Sequence, residues 1–235
     1  MVALDYDKYG VFGLKEYMSN FTKNKGIRLL SFIIIEKALE NGVLVPLILK
    51  TSLSDYIGNL VYKSVEVLLV CILNILLTRQ CINLKIKLTA KTGAWLLIMI
   101  LCLVPFMNFK PINNFLRALV WTLLVAIAEE LLFRGVILKD LLNLLIRSGH
   151  LKSHGVFIAI TISSLLFSVE HLTNITNQSG VATICQMIQT FGMGTLFAAL
   201  YIRTGSLFYP ISLHFLIDFP SLYFAQSYLA KPSVA

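Results

Sequence analysis

Glu129 and Glu130 stand side by side in an otherwise apolar run, Leu123-Leu124-Val125-Ala126-Ile127-Ala128-Glu129-Glu130-Leu131-Leu132-Phe133-Arg134. A charged side chain at the centre of a bilayer helix costs about 2.5–3.5 kcal/mol on insertion scales. Two carboxylates with an arginine one turn later are therefore expected to face a protein interior or a wet cavity. A carboxylate in a low-dielectric site is a competent general base for water, so hydrolysis within the membrane is the first chemistry to consider. Glu130 and Arg134 are four residues apart and meet on one helix face. A buried guanidinium needs a carboxylate, best held bidentately, which makes Glu130 the partner of Arg134. Glu129 points about 100° away and is left for other work.

Three further polar groups stand on later apolar segments: His171, closing Phe167-x-x-x-His171, and His214 with Asp218 one turn on. An aspartate that accepts a hydrogen bond from one ring nitrogen fixes the tautomer and leaves the other nitrogen free for substrate, water or metal. His171 and His214 then read in two ways. They donate to an oxyanion and a leaving amine, or with Glu129 they hold a divalent metal such as zinc, which suits that N/O set. Taken singly, each group also has a structural reading: the Glu–Arg pair as a clamp, a histidine as an interhelical hydrogen-bonding group, Phe167 as packing. Glu170 reads as facing elsewhere than His171, and His150 and His154 as solvated in a basic loop. There is no H-E-x-x-H, G-x-S-x-G or Cys–His candidate. The four cysteines include no C-x-x-C pair and read as packing residues.

The elements that must position these groups are membrane helices. Of 235 residues, 57% are hydrophobic, far above what a soluble core of this length needs. The net charge of +8 does not indicate nucleic acid, because the basic residues gather at the ends of apolar stretches, as topology signals and anionic-lipid contacts do. The fold class is all-α, a polytopic helical bundle of about seven spans, with six to eight compatible. The expected spans are 27–49, 57–78, 93–109, a long fourth helix opened by Pro111, 155–172, 181–202 and 206–229. The first carries Glu36, Lys37 and Glu40; it either turns Glu36 and Glu40 inward on one face or lies at the interface. The basic groups Lys8–Arg28, Arg79–Lys91, Lys139–Lys152 and Arg203 fall on one side of such a bundle, which places the N-terminus in the cytoplasm. The expected organisation is a tail (1–26), accessory spans (27–110), a catalytic core (111–229) and a short tail (230–235). A fourth helix ending at Leu138 would put Glu129 and His171 at opposite depths. Leu138, Leu141, Leu142 and Leu145 keep helical spacing, so the helix is expected to continue beyond the bilayer, bringing both residues to the cytoplasmic half.

The series Glu129-Glu130-x-x-x-Arg134, Phe167-x-x-x-His171, His214-x-x-x-Asp218 resembles the motifs of the CPBP family, the CAAX-prenyl-protease and bacteriocin-processing (Abi) intramembrane proteases. The resemblance covers roughly residues 115–220. It implies that Glu129 activates a water, that Glu130 and Arg134 are the second acid and the arginine, and that His171, His214 and Asp218 complete the site. The prenyl-protease branch usually has Asn where Asp218 stands, which argues against a prenylated substrate and suits a bacterial member. The implied function is an intramembrane endopeptidase acting on a membrane-associated peptide or protein, in bacteriocin or pheromone maturation or self-immunity. Its surroundings are the lipid bilayer of the cell membrane. The alternatives are a non-catalytic scaffold or immunity protein, and a proton-coupled transporter. Oligomeric state is left open.

Overall fold

The computed structural model describes residues 25–86, 89–108, 111–147 and 152–225. The tails 1–24 and 226–235, with Lys8, Lys15 and Lys23, and His150 lie outside the described residues. Among those described there are seven continuous helical stretches and no strand. Helix α1 runs Lys25–Leu39, passes through a π-helical turn Glu40–Leu44 and ends at Val45–Leu49. Helix α2 is Asp55–Leu73 with a π-helical turn Asn74–Thr78, and α3 is Ala90–Leu103 with a 3-10 turn Val104–Asn108. Helix α4 comprises Ile112–Glu130, a π-helical segment Leu131–Leu138 and Lys139–Arg147. Helix α5 is Lys152–Glu170 with a 3-10 turn His171–Thr176, α6 is Gly180–Thr204 and α7 is Phe208–Ala225.

Local sequence explains these ends. Pro111 precedes α4, Thr89 Oγ1 caps α3 by accepting from the Thr92 amide, and Ser179 Oγ caps α6 by accepting from the Ala182 amide. Gly205 ends α6 at φ 68°, a left-handed conformation that glycine adopts without a Cβ clash. Beyond the expected end of the span 155–172, the chain continues as the 3-10 turn to Thr176, where the Thr173 hydroxyl donates to the Glu170 carbonyl at 2.9 Å.

Four stretches are long and apolar enough to cross a membrane: Asp55–Thr78, Ala90–Met107, His154–Thr176 and Gly180–Thr204. Their outward faces are apolar, with Leu97, Ile100 and Leu101 of α3 and Val181, Ile184 and Ile188 of α6 all exposed. Such a belt is stable against lipid, where every backbone group is satisfied within the helix. The other three stretches turn several of their charged residues inward. In α1, Glu36 and Glu40 are buried, in keeping with the inward-facing reading of that face.

Helix α5 packs along α6, α4 along α7, and α2 against α4. At the α5–α6 contact a Cβ on Gly194 would come within 3.0 Å of Ser164 Cβ, so glycine is what permits the approach. Helix α4 continues unbroken past Leu138 to Arg147, as its leucine spacing requires. Its extension is tied down by Asp140, which accepts from Gln80 Nε2 at 2.7 Å. Burial pushes the Asp140 carboxyl up to about 6, with Lys25 and Arg28 opposing the shift.

Candidate active site

Helices α4, α5 and α7 bring the motif residues together. Glu130 and Arg134 are fully buried, with NH1 of Arg134 2.9 Å from Glu130 Oε1. The pairing differs from the expected bidentate fork. The same Oε1 also lies 2.9 Å from His214 Nδ1, while Oε2 has no hydrogen-bond partner. NH2 of Arg134 donates to the Gly194 carbonyl at 3.2 Å. The guanidinium carbon sits 4.6 Å from the Phe167 ring centroid and 5.2 Å from that of Phe197, so aromatic faces complete the cage.

His214 is buried and stacked on Phe197, centroids 4.9 Å apart. Its Nε2 meets Asp218 Oδ2 at 3.0 Å and lies 3.7 Å from Glu129 Oε2. The expectation that one ring nitrogen would be left free is corrected here. Glu130 takes Nδ1 and Asp218 takes Nε2, because the acid expected to serve Arg134 alone is shared. Ionised carboxylates only accept hydrogen bonds. The ring therefore donates from both nitrogens, or one of the two carboxyls carries the proton.

His171 Nδ1 is 2.9 Å from the Phe167 carbonyl. A carbonyl cannot donate, so the proton resides on Nδ1, and in the neutral ring Nε2 keeps its lone pair. The Phe167 ring is in edge-to-face contact with both histidines. Its motif position thus serves more than bulk: the side chain separates the rings and covers Arg134, and the carbonyl sets a tautomer.

Glu129, His171 and Asp218 line one cavity of about 780 Å³. Glu129, pointing away from Glu130 as its helix position dictates, keeps 18% of its side chain exposed there. The π-helical segment Leu131–Leu138 begins directly after this pair and is wholly buried. Such segments recur at functional sites, where the extra residue per turn re-aims side chains.

The donors do not fit a zinc ion as arranged. Among the described residues no three His, Cys, Asp or Glu side chains are grouped to hold a metal. His214 has both nitrogens engaged by carboxylates, and His171 Nδ1 is held by a main-chain carbonyl.

Residues 111–220 match a family model described as type II CAAX prenyl endopeptidase Rce1-like. Over that segment the chain is similar to the CAAX-protease family. Comparisons with curated proteins and with solved structures yield no match. The matched segment contains Glu129, Glu130, Arg134, Phe167, His171, His214 and Asp218, and stops short of α1 to α3.

Yet the cavity does not stop there. Glu36, Lys37 and Glu40 of α1 and Asn59, Tyr62 and Lys63 of α2 line it too. Glu170, expected to face elsewhere, also lines it and is ion-paired with Lys37. The one clue in the sequence was the cluster of charges in α1. Nothing local revealed that Lys37 would pair across the bundle, 133 residues along the chain.

Proposed function

We propose that the chain is an intramembrane endopeptidase that hydrolyses a peptide bond of a membrane-associated peptide or protein with water activated by Glu129. The observation that carries this reading is the convergence of Glu129, His171 and Asp218 on one cavity, with His214 clamped behind them. Glu129 is the cavity-lining member of the acidic pair, and Glu130 is committed to Arg134 and His214.

The chemistry then runs as follows. Glu129 takes a proton from water as its oxygen attacks the scissile carbonyl carbon. His214 is held by Glu130 at Nδ1, and its Nε2–H, which Asp218 accepts at rest, is shared with the developing oxyanion. Glu129 passes its proton to the leaving nitrogen as the C–N bond breaks, and His171 Nε2 is placed to receive or return a proton at the cavity wall. Glu130 and Arg134 are positioning residues that fix the imidazole. Asp218 accepts from His214 and cannot donate an amide hydrogen, which favours an unprenylated peptide.

The same reading sets the protein in a cell membrane with a cytoplasmic N-terminus, as the basic segments argue, and a bacteriocin, pheromone or self-immunity peptide is the substrate type it suggests. The test is cleavage of membrane peptides by purified protein in liposomes, read by mass spectrometry. Product from wild type and none from Glu129→Gln supports the protease. Full protection of cells by Glu129→Gln, with no product from either protein, overturns it in favour of a scaffold.

A further inference from the structure

The cavity wall supplied by α1 and α2 has no role in the hydrolysis as derived, yet it holds most of the cavity's charge. Among the described residues lining the cavity there are five carboxylates against two lysines, Lys37 and Lys63. Lys37 is shared three ways. Its Nζ lies 2.6 Å from Glu40 Oε2 and 3.4 Å from Glu36 Oε2, and it also pairs with Glu170. Lys63 is committed to Glu66 at 2.7 Å. One ammonium cannot neutralise three carboxylates, and uncompensated charge away from water is costly.

A second observation points to a ligand. Glu36 is fully buried, lines the cavity, and has no hydrogen-bond partner on either oxygen. Tyr62 donates to Glu40 Oε1, so that carboxylate is already oriented. Glu170 Oε2 is likewise buried without a hydrogen-bond partner. Lys63 and Glu129 line the same cavity, which ties this wall to its reacting end. Open carboxylate oxygens in a desolvated, net-negative wall suit a donor-only cation. They do not suit a divalent metal, because among the described residues no three donors are grouped for one. A lysine or arginine side chain also carries an apolar stem that can lie along Ile33 and Leu166, which line the same cavity.

We propose that Glu36, Glu40 and Glu170 form a subsite for a lysine or arginine side chain of the peptide substrate, beside the scissile bond. The proposal rests on the protease reading and names the substrate class of the same cavity. The subsite reads charge, and the motif residues supply the chemistry.

Two measurements test it separately from that reading. In the first, wild-type protein in liposomes is given an equimolar library of transmembrane peptides carrying lysine, norleucine or glutamate at each position, and cut sites are read by mass spectrometry. The expected result is enrichment of lysine near the cut by about tenfold, the effect of one charge-assisted hydrogen bond. Enrichment should collapse among the cuts that Glu36→Gln/Glu40→Gln still makes. Cuts without lysine enrichment, or enrichment that survives the double variant, overturn the subsite and leave the protease standing. In the second, Glu129→Gln protein in detergent binds fluorescent lysine-bearing and norleucine-bearing peptides, read by anisotropy. Tighter binding of the lysine peptide, by about tenfold and lost on adding Glu36→Gln, supports the subsite even if wild type cuts nothing. Equal binding overturns it. Glu170→Gln, at the more exposed edge of the wall, checks that any loss is not misfolding: it should weaken the lysine preference about threefold in a normally abundant protein.

Discussion

The two walls of the cavity are both polar, and they are built in opposite ways. On the wall made by α4, α5 and α7, the motif groups are tied to specific neighbours, although Glu130 Oε2 has no hydrogen-bond partner. Arg134 sits in an aromatic cage, Glu130 Oε1 joins it to His214, and Asp218 closes the other ring nitrogen. On the wall made by α1 and α2, a single ammonium is divided among Glu36, Glu40 and, reaching in from the end of α5, Glu170, and several of these oxygens have no hydrogen-bond partner. Preorganised dipoles lower a barrier because they do not reorganise during reaction. A loosely satisfied charged wall is suited to accept a charge brought from outside. The contrast separates reactivity from selection within one cavity.

The largest effect that would break this comparison is on chemistry. Glu129→Gln keeps shape and removes the base, so cleavage should fall by about 10²–10⁴ with protein abundance unchanged. A variant that cuts normally would erase the distinction between the walls. The next is on stability. Arg134→Met leaves Glu130 buried without its cation, a change that costs about 3–5 kcal/mol when one partner of a buried pair is removed. The expected readout is a lower midpoint of thermal unfolding in detergent and reduced abundance, whereas Lys37→Met on the other wall should cost less. Gly194→Ala sharpens the point more gently. Its Cβ would lie 3.0 Å from Ser164 Cβ and 3.2 Å from Ser164 Cα, so α5 and α6 must part, at about 1–3 kcal/mol. Activity should fall with it, since the Gly194 carbonyl that accepts from Arg134 moves too.

The smallest effect lies outside both walls, on the extension of α4. The Asp140 carboxyl is raised to about 6 in the fold, from an ordinary 3.8. Below about pH 4 it is protonated folded and unfolded, and contributes no pH dependence. Between about pH 4 and 6 the unfolded chain gives up the proton more readily, so stability falls as pH rises, and the loss is complete above about pH 6. Asp140→Asn should flatten that limb and leave the protein more stable at pH 7.5, by about 1–3 kcal/mol, and unchanged at pH 4. Unfolding midpoints across that pH range provide the check. An identical pH dependence in the variant would contradict it.

Much of the reactive wall was legible in the sequence because its logic is local. The Glu130–Arg134 and His214–Asp218 contacts are each one helical turn, and the continuation of α4 followed from leucine spacing. The shared Glu130 oxygen was not legible, because it depends on how α4 and α7 pack across 84 residues of chain. The π-helical turns at Leu131–Leu138 and Glu40–Leu44 were hidden as well, since they shift the side-chain register where 3.6-residue spacing had been assumed. The charged wall escaped for a plainer reason. Lys37 and Glu170 carry no motif, and their meeting is a property of the assembled bundle alone.

The central claim is that Glu129 delivers water to a peptide bond, and single-turnover cleavage in ¹⁸O-labelled water tests it most directly. Wild-type protein should release a product with ¹⁸O in its new carboxyl group and none in its own Glu129, and Glu129→Gln should release no product. Label found in Glu129, or equal product from the variant, would contradict it.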